Sequence, residues 1–287
     1  MTKRAVAVLG IGLVDSDNAV VASDDLGLTR GDGCFEATRV STDAATNHRI
    51  DHLTEHLHRF QASAAALDLP DVDFAEWHSL IGQVLSGWDE PGEAMLKLMM
   101  SRGRESAPTG PITGIATVTP IAETALRQRR DGISVITLGR GTTSDAFKAA
   151  PWLLGGVKTL SYAVNVAAGR VAVRRGGDDV LFTSADGYVL EGPTSAVVWS
   201  ASGWLCSTPT GATGILDSIT QRAIFQAAER SGLPTRYELG TVTDLCRADG
   251  VWLVSSGRGA ARVHTIDGRP LTTRPGLSDQ ISSLAGF

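Results

Sequence analysis

Hydrophobic stretches of period two and period 3.6 follow one another along this chain, and their order predicts most of its elements. Residues 4 to 40 read as strands and turns: AVAVLGIGLV, a polar turn, then CFEATRV. In the last run Phe35, Ala37 and Arg39 alternate with Cys34, Glu36 and Thr38, as the two faces of a strand do. From 52 to 68 the period lengthens. Leu53, Leu57, Phe60, Ala64 and Leu67 fall on one helix face. A second helix is predicted over about 74 to 87, after the turn at Leu69-Pro70-Asp71, and MLKLMMSRG and TGIATVTPI read as strands.

The charged stretch IAETALRQRRD, 121 to 131, precedes a new strand, ISVITLG, and is the expected boundary. It divides the chain into a smaller N-terminal α/β domain, 1–122, and a larger C-terminal domain, 123–287. After the strand ISVITLG comes PWLLGGVKTLSYAVN, in which Lys158 lies between a Gly-Gly turn and a run that reads as the start of a helix reaching about Arg175. A strand pair is predicted in DVLFTSADGYVLEG and a hairpin in SAVVWSASGWLCS. SITQRAIFQAAERSG is a predicted helix with Ile219, Ala223, Ile224 and Ala227 apolar and Gly232 at its end. VWLVSSGRG and HTIDGRPL close the chain. The sequence shows no repeat and no low-complexity tract, and the fold class is α+β / α/β in two domains.

Composition narrows the function. Hydrophobic residues at 43% and charged residues at 20% over 287 positions supply a sizeable core. A net charge of -5 argues against nonspecific binding to nucleic acid or to a membrane surface, and no apolar run approaches the roughly 20 residues of a spanning helix. The short apolar start resembles the first half of a leader peptide, but no small-residue cleavage site precedes DSD, so an edge strand is expected there. Three distant cysteines, Cys34, Cys206 and Cys246, suit a reducing cytoplasm.

Several motifs fall short. His52-Leu-Thr-Glu55-His56 matches the H-x-x-E-H zinc pattern, but no third ligand follows, and a solvated helix face is expected instead of a metal. In GGVKT a valine separates glycine from lysine, so the phosphate-loop pattern fails. No G-x-G-x-x-G follows a strand, and no G-x-S-x-G elbow is present. No basic, aromatic-interleaved stripe suggests nucleic acid.

Of the 26 basic residues only four are lysine: Lys3, Lys97, Lys148 and Lys158. Lys158 lies in apolar surroundings, where desolvation favours the neutral, nucleophilic amine. A lysine at a helix start with its head in solvent reads equally well. Thirty-three residues on, Glu191 ends an apolar run before Gly-Pro and two hydroxyl residues, as a site carboxylate or a turn residue in water would.

Six segments in order settle how the chain is read: LTRGDGCFEATRV (28–40), HLHRFQASAAAL (56–67), VKTLSYAVN (157–165), DGYVLEGPTSAVVW (186–199), TPTGATGILDSITQRAI (208–224) and VSSGRGAARVHTIDGRPL (254–271). Together they resemble the class IV aminotransferases, the fold-type IV pyridoxal-phosphate (PLP) enzymes, across nearly the whole chain. The family includes branched-chain and D-amino acid aminotransferases and 4-amino-4-deoxychorismate lyases. The resemblance implies a D-amino acid aminotransferase-like fold of two α/β domains with PLP between them, the C-terminal one binding it, and a cytoplasmic homodimer. It implies that Lys158 is the catalytic Schiff-base lysine and that Glu191 faces the pyridine nitrogen. It implies phosphate contacts from Arg59, Ile219, Thr220, Ser256 and Gly257. Leu216 is implied against one ring face, Tyr162 at the phenolic oxygen, and Ser195 in support.

There are departures: Ala196 stands where many members carry Asn, Gly257 where Thr is common, and Asp217-Ser218 where Asn/Arg-Gly is frequent. The substrate would be a small amino compound bearing a carboxylate, with Phe35, Arg30, Arg102, Arg104 and Arg258 as its candidate partners. SRGRESAPTG lacks the R-x-H pair of the D-amino acid branch, and LKLMMS lacks the tyrosine-arginine pair of the branched-chain branch. Aminodeoxychorismate lyase is therefore the leading expectation: elimination of pyruvate to give 4-aminobenzoate, a step of folate biosynthesis. Transamination of D-amino or branched-chain amino acids, alone or alongside it, is the alternative. A PLP-binding protein without turnover is the second alternative.

Overall fold

A computed structural model gives the structure of residues 3–287. Two compact units form: one extends to Ala122 and takes in Val157–Tyr162, and the other comprises Glu123–Gly156 and Ala163–Phe287.

The first unit contains β1 (Ala5–Val8), β2 (Gly12–Val14), α1 (Leu26–Arg30), β3 (Gly33–Thr42), β4 (His48–Ile50), α2 (Leu53–Ala66), α3 (Phe74–Ser86), β5 (Gly92–Ser101) and β6 (Thr113–Pro120). Its six strands form one sheet in the order β2-β1-β6-β5-β3-β4, and every pairing is antiparallel. The strand expected at an edge, β1, is not there. The chain doubles back through Gly10 and Gly12, both at positive φ, and lays β2 outside it. The predicted face of α2 packs on the sheet, with Leu57, Phe60 and Ala64 at most 1% exposed. Phe60 meets Trp77 of α3 edge-on at 4.8 Å. Asp73 caps α3 by accepting from the N–H groups of Ala75 and Glu76.

Residues 157–162 run extended beside the start of β3. Phe35 N–H donates to the Lys158 carbonyl (3.0 Å) and Leu160 N–H to the Gly33 carbonyl (2.8 Å), with a bridge between Cys34 and Thr159. Position 33 has no room for a side chain, because a Cβ there would lie 2.4 Å from the Met100 carbonyl oxygen. These bonds tie the segment to the first unit, although the sequence reading grouped it with the second. The following helix begins at Ala163, so Lys158 is on extended backbone and not at a helix start.

The second unit contains α4 (Glu123–Asp131), β7 (Ile133–Gly139), a 3-10 turn (Pro151–Leu153), α5 (Ala163–Arg174), β8 (Asp179–Thr183), β9 (Ala196–Ala201), β10 (Trp204–Ser207), α6 (Ile219–Arg230), β11 (Thr235–Tyr237), α7 (Val242–Cys246), β12 (Gly250–Ser255), β13 (Gly259–Ile266), β14 (Arg269–Pro270) and α8 (Leu277–Leu284). Its sheet runs β11-β10-β9-β12-β13-β7-β8, with β14 on β13. Most of the charged stretch at 121–131 is itself the helix α4. The buried apolar residues of α6 are Ile219, Ile224, Phe225 and Ala228; Ala223 and Ala227 flank them. Phe225 buries more apolar area than either alanine, so it turns its side of the helix inward. The predicted strand after β8 is a return rather than a strand. Phe182 and residues Leu190 and Glu191 exchange backbone bonds of 2.8 Å, which carries Glu191 to a fixed place beside β8. Among the described residues no helix is long and apolar enough to cross a membrane.

Candidate active site

In the first unit the chemistry gathers where residues 157–162 meet β3 and α2. The Lys158 backbone N–H donates to Ser63 Oγ of α2 (3.2 Å). Its Nζ stands 4.3 Å from the centre of the Phe35 ring, a cation–π contact. The other side of the arrangement is Tyr162, whose ring meets Phe35 edge-on at 5.3 Å. Lys158, Phe35 and Tyr162 are each half-buried.

Beneath them is a buried ion cluster. Glu36, 1% exposed, accepts from Arg59 Nε (2.7 Å) and Nη2 (2.9 Å) and pairs with His56 Nδ1 at 2.5 Å. Burial pushes the Glu36 carboxyl up, but the His56 hydrogen bond and the Arg59 charge outweigh it and hold the group at about 2. Burial lowers the His56 pKa, and the positive charges of Arg59 and Lys158 act in the same direction against the pull of Glu36. Arg59 thus enters the site with its fork oriented from behind. The solvated face expected for the H-x-x-E-H stretch holds for His52, Glu55 and His58, which are exposed, but His56 is 1% exposed. Alternation along β3 could not say which face would be covered. Among the described residues no group of three or more His, Cys, Asp or Glu side chains could hold a metal ion.

In the second unit, Glu191 is half-buried and its Oε2 accepts from the Leu216 backbone N–H (3.1 Å). Leu216 leads into α6, which Ser218 caps by accepting from Gln221 N–H. Ile219 and Thr220 form its first turn, whose N–H groups have no acceptor within the helix and favour an anion. Thr220 Oγ1 and Ser256 Oγ are 3.2 Å apart, so the β12–β13 turn stands beside the same helix end. Helix N–H groups, two hydroxyls and a nearby backbone turn make a donor set suited to a phosphate.

The substrate-side arginines each have internal partners. Arg258 is 8% exposed, and its guanidinium donates to Asp179 (2.7 Å), Gln128 (3.2 Å) and Ser195 Oγ (2.6 Å). That buried ion pair makes Arg258 a brace for the segment after Glu191 rather than a partner for an incoming carboxylate, and it spends Ser195 as an acceptor. Arg102 holds Asp32 and the carbonyls of Leu67 and Asp68. Arg104 pairs with Asp24 at 2.8 Å. Arg30, with a side chain 66% exposed, lies 3.6 Å from Glu105. Sequence offers no means of seeing these pairings, since each joins positions far apart in the chain. A separate cavity of about 590 Å³ in the second unit, lined by Trp199, Arg236, Glu238 and Asp244 among others, contains none of the residues singled out from the sequence.

Comparison with known proteins places this geometry. The profile of the family Amino-transferase class IV matches residues 33–266. A bifunctional aminodeoxychorismate lyase / D-amino acid transaminase of Mycobacterium tuberculosis is 43% identical over 263 residues, covering 88% of either chain. The PLP-bound form of a hypothetical aminotransferase from Mycobacterium tuberculosis has a TM-score of 0.91 at 38% identity, covering 99% of this chain and 98% of that one. A fold IV-transaminase from Curtobacterium pusillum has a TM-score of 0.90 at 37% identity, covering 99% and 100%.

Proposed function

The chain belongs to the class IV aminotransferase family and is a PLP-dependent enzyme, and from that premise we propose that it is an aminodeoxychorismate lyase which also transaminates D-amino acids. Family membership sets aside the reading of a protein without turnover. The observation that carries the finer proposal is the 43% identity to a relative named for both activities, extending over 88% of both chains.

The residues present fit the cofactor. Ile219, Thr220, Ser256 and the Gly257 backbone would hold its phosphate, a role the family resemblance also gives Arg59, and the Thr220–Ser256 contact of 3.2 Å sets two hydroxyls side by side. When bound, PLP supplies an aldehyde that condenses with amines and a cationic ring that takes up electrons. Glu191, fixed by the Leu216 N–H, keeps a proton on the ring nitrogen. Leu216 would cover one ring face, Tyr162 would donate to the phenolic oxygen, and Ser195 would support the turn after Glu191. Lys158 Nζ removes the proton from the carbon that bears the substrate amine. In the lyase reaction the enolpyruvyl oxygen then departs and the six-membered ring becomes aromatic. In transamination Lys158 would instead return the proton it has taken.

Purified enzyme supplied with aminodeoxychorismate and no keto acid is expected to release pyruvate and 4-aminobenzoate. Product that forms only when an amino acid and a keto acid are added together would remove the lyase and leave the transaminase. The same reading includes a cytoplasmic homodimer, in keeping with three free cysteines. Light scattering that returned the mass of one chain, 30.1 kDa, would remove the dimer.

A further inference from the structure

The turn that joins β12 to β13 is held from outside the cofactor residues. Arg129, near the end of α4, donates from Nη2 to the Gly257 carbonyl (2.8 Å) and from Nε to the Arg258 carbonyl (3.0 Å). Its guanidinium lies 4.5 Å from the centre of the Phe287 ring. Phe287 is set in turn by its own N–H, which donates to the Ser282 carbonyl of α8 (3.0 Å). The fit around the turn is close. Gly259 has φ +74°, and a Cβ there would lie 3.1 Å from the Phe287 ring and 3.2 Å from Arg129 Nε.

The consequence lies in the peptide planes. Two successive carbonyls, those of 257 and 258, point to one planar, two-pronged donor, which fixes both peptide units. Gln128, the preceding residue of α4, accepts from the side chain of Arg258, which continues to Asp179 and Ser195. On the opposite side Ser256 Oγ meets Thr220 Oγ1 of α6. One turn therefore links α4, the helix end that favours an anion, and the segment that follows Glu191. Ser195, Thr220, Ser256 and Gly257 are the residues in these ties that are assigned to the cofactor; Arg129, Gln128, Asp179 and Phe287 lie outside that set.

Resting on the assignment of Ser256 and Gly257 to the phosphate, we infer that Arg129, stacked on Phe287, is a positioning residue that holds the Ser256–Gly257–Arg258 turn in its phosphate-receiving shape. Arg129 itself does not touch the cofactor. Its removal loosens the donors that face the phosphate and leaves the groups for the ring unchanged.

The test compares pyridoxal 5'-phosphate with pyridoxal, which lacks the phosphate, by titrating each into the apoprotein and following absorbance. In Arg129→Ala the affinity for the phosphate ester is expected to fall about tenfold, as loss of charge-assisted bonds does, while pyridoxal binds as in the wild type. Arg129→Lys, which keeps the charge but not the fork, falls similarly. Phe287→Tyr keeps the ring and is expected to retain wild-type affinity, whereas Phe287→Leu weakens only the phosphate ester. The lysine and Phe287 variants decide the matter where Arg129→Ala does not fold. Equal losses for both ligands, or no loss for either, would overturn the inference while the cofactor site stands. A wild-type chain that binds pyridoxal as tightly as its phosphate ester would overturn the phosphate assignment and, with it, the clamp.

Discussion

Lys158→Ala is expected to lower turnover by about 10³-fold or more, in both the lyase and the transaminase assay, because nucleophile and general base are lost together. The protein should nevertheless fold. The hydrogen bonds that fix Lys158 and its neighbour Leu160 start from or end on their backbone: Lys158 N–H to Ser63 Oγ, the Lys158 carbonyl from Phe35 N–H, and Leu160 N–H to the Gly33 carbonyl. Alanine retains all of them and removes the amine that stands over the Phe35 ring. The absorbance of the bound cofactor should change and the melting temperature should hold within about 2 °C, as for a partly exposed site. A variant that kept a tenth of wild-type turnover would remove Lys158 from the chemistry.

Glu36→Ala should carry the largest cost in stability. Arg59 and His56 both direct donors at this carboxylate from α2, and the group is 1% exposed. Removing one member of a buried ion cluster costs about 3–5 kcal/mol, which corresponds to a melting temperature lower by roughly 10 °C. The sign of the pH dependence follows from the shifts. The carboxyl of Glu36 is held at about 2 against 4.5 for an unperturbed group, so its stabilisation is fully present above about pH 4.5 and is lost as pH falls toward 2. His56 is lowered from 6.5, so the unfolded chain takes up its proton first and stability also declines as pH falls below about 6.5. Urea unfolding followed from pH 7 to pH 3 should show both losses in the wild type, and Glu36→Ala should lack the acid-side one. Equal stability of the two proteins at pH 7, with the same slope on acidification, would show that the cluster stores no such energy. Glu36→Ala should also weaken PLP binding, since Arg59 loses the partner that orients it.

The face of α2 was legible because Leu57, Phe60 and Ala64 repeat at helical spacing, and burial of such a stripe is what makes the helix. Lys158 and Glu191 are singled out by the order of six motifs alone; their local surroundings leave a solvated lysine and a turn carboxylate equally open. Less was legible where a residue's role depends on a distant partner. The alternation in β3 is symmetric, so it gave no hint that Glu36 would face α2 and meet His56 and Arg59. The short α7 and the mostly polar α8 carry little periodic signal, yet α8 sets Phe287 beside Arg129.

The sequence alone determined most of the long strands and helices, the covered face of α2 and the family to which the chain belongs, since these depend on spacing and order along one dimension. Tertiary structure decided that residues 157–162 join the first unit, that Arg258 and Arg102 serve as internal braces, and that His56 is buried with Glu36. Those outcomes depend on which distant groups meet where water is excluded. There an unpaired charge or an unmet hydrogen bond is too costly to persist, and no local pattern encodes the partner.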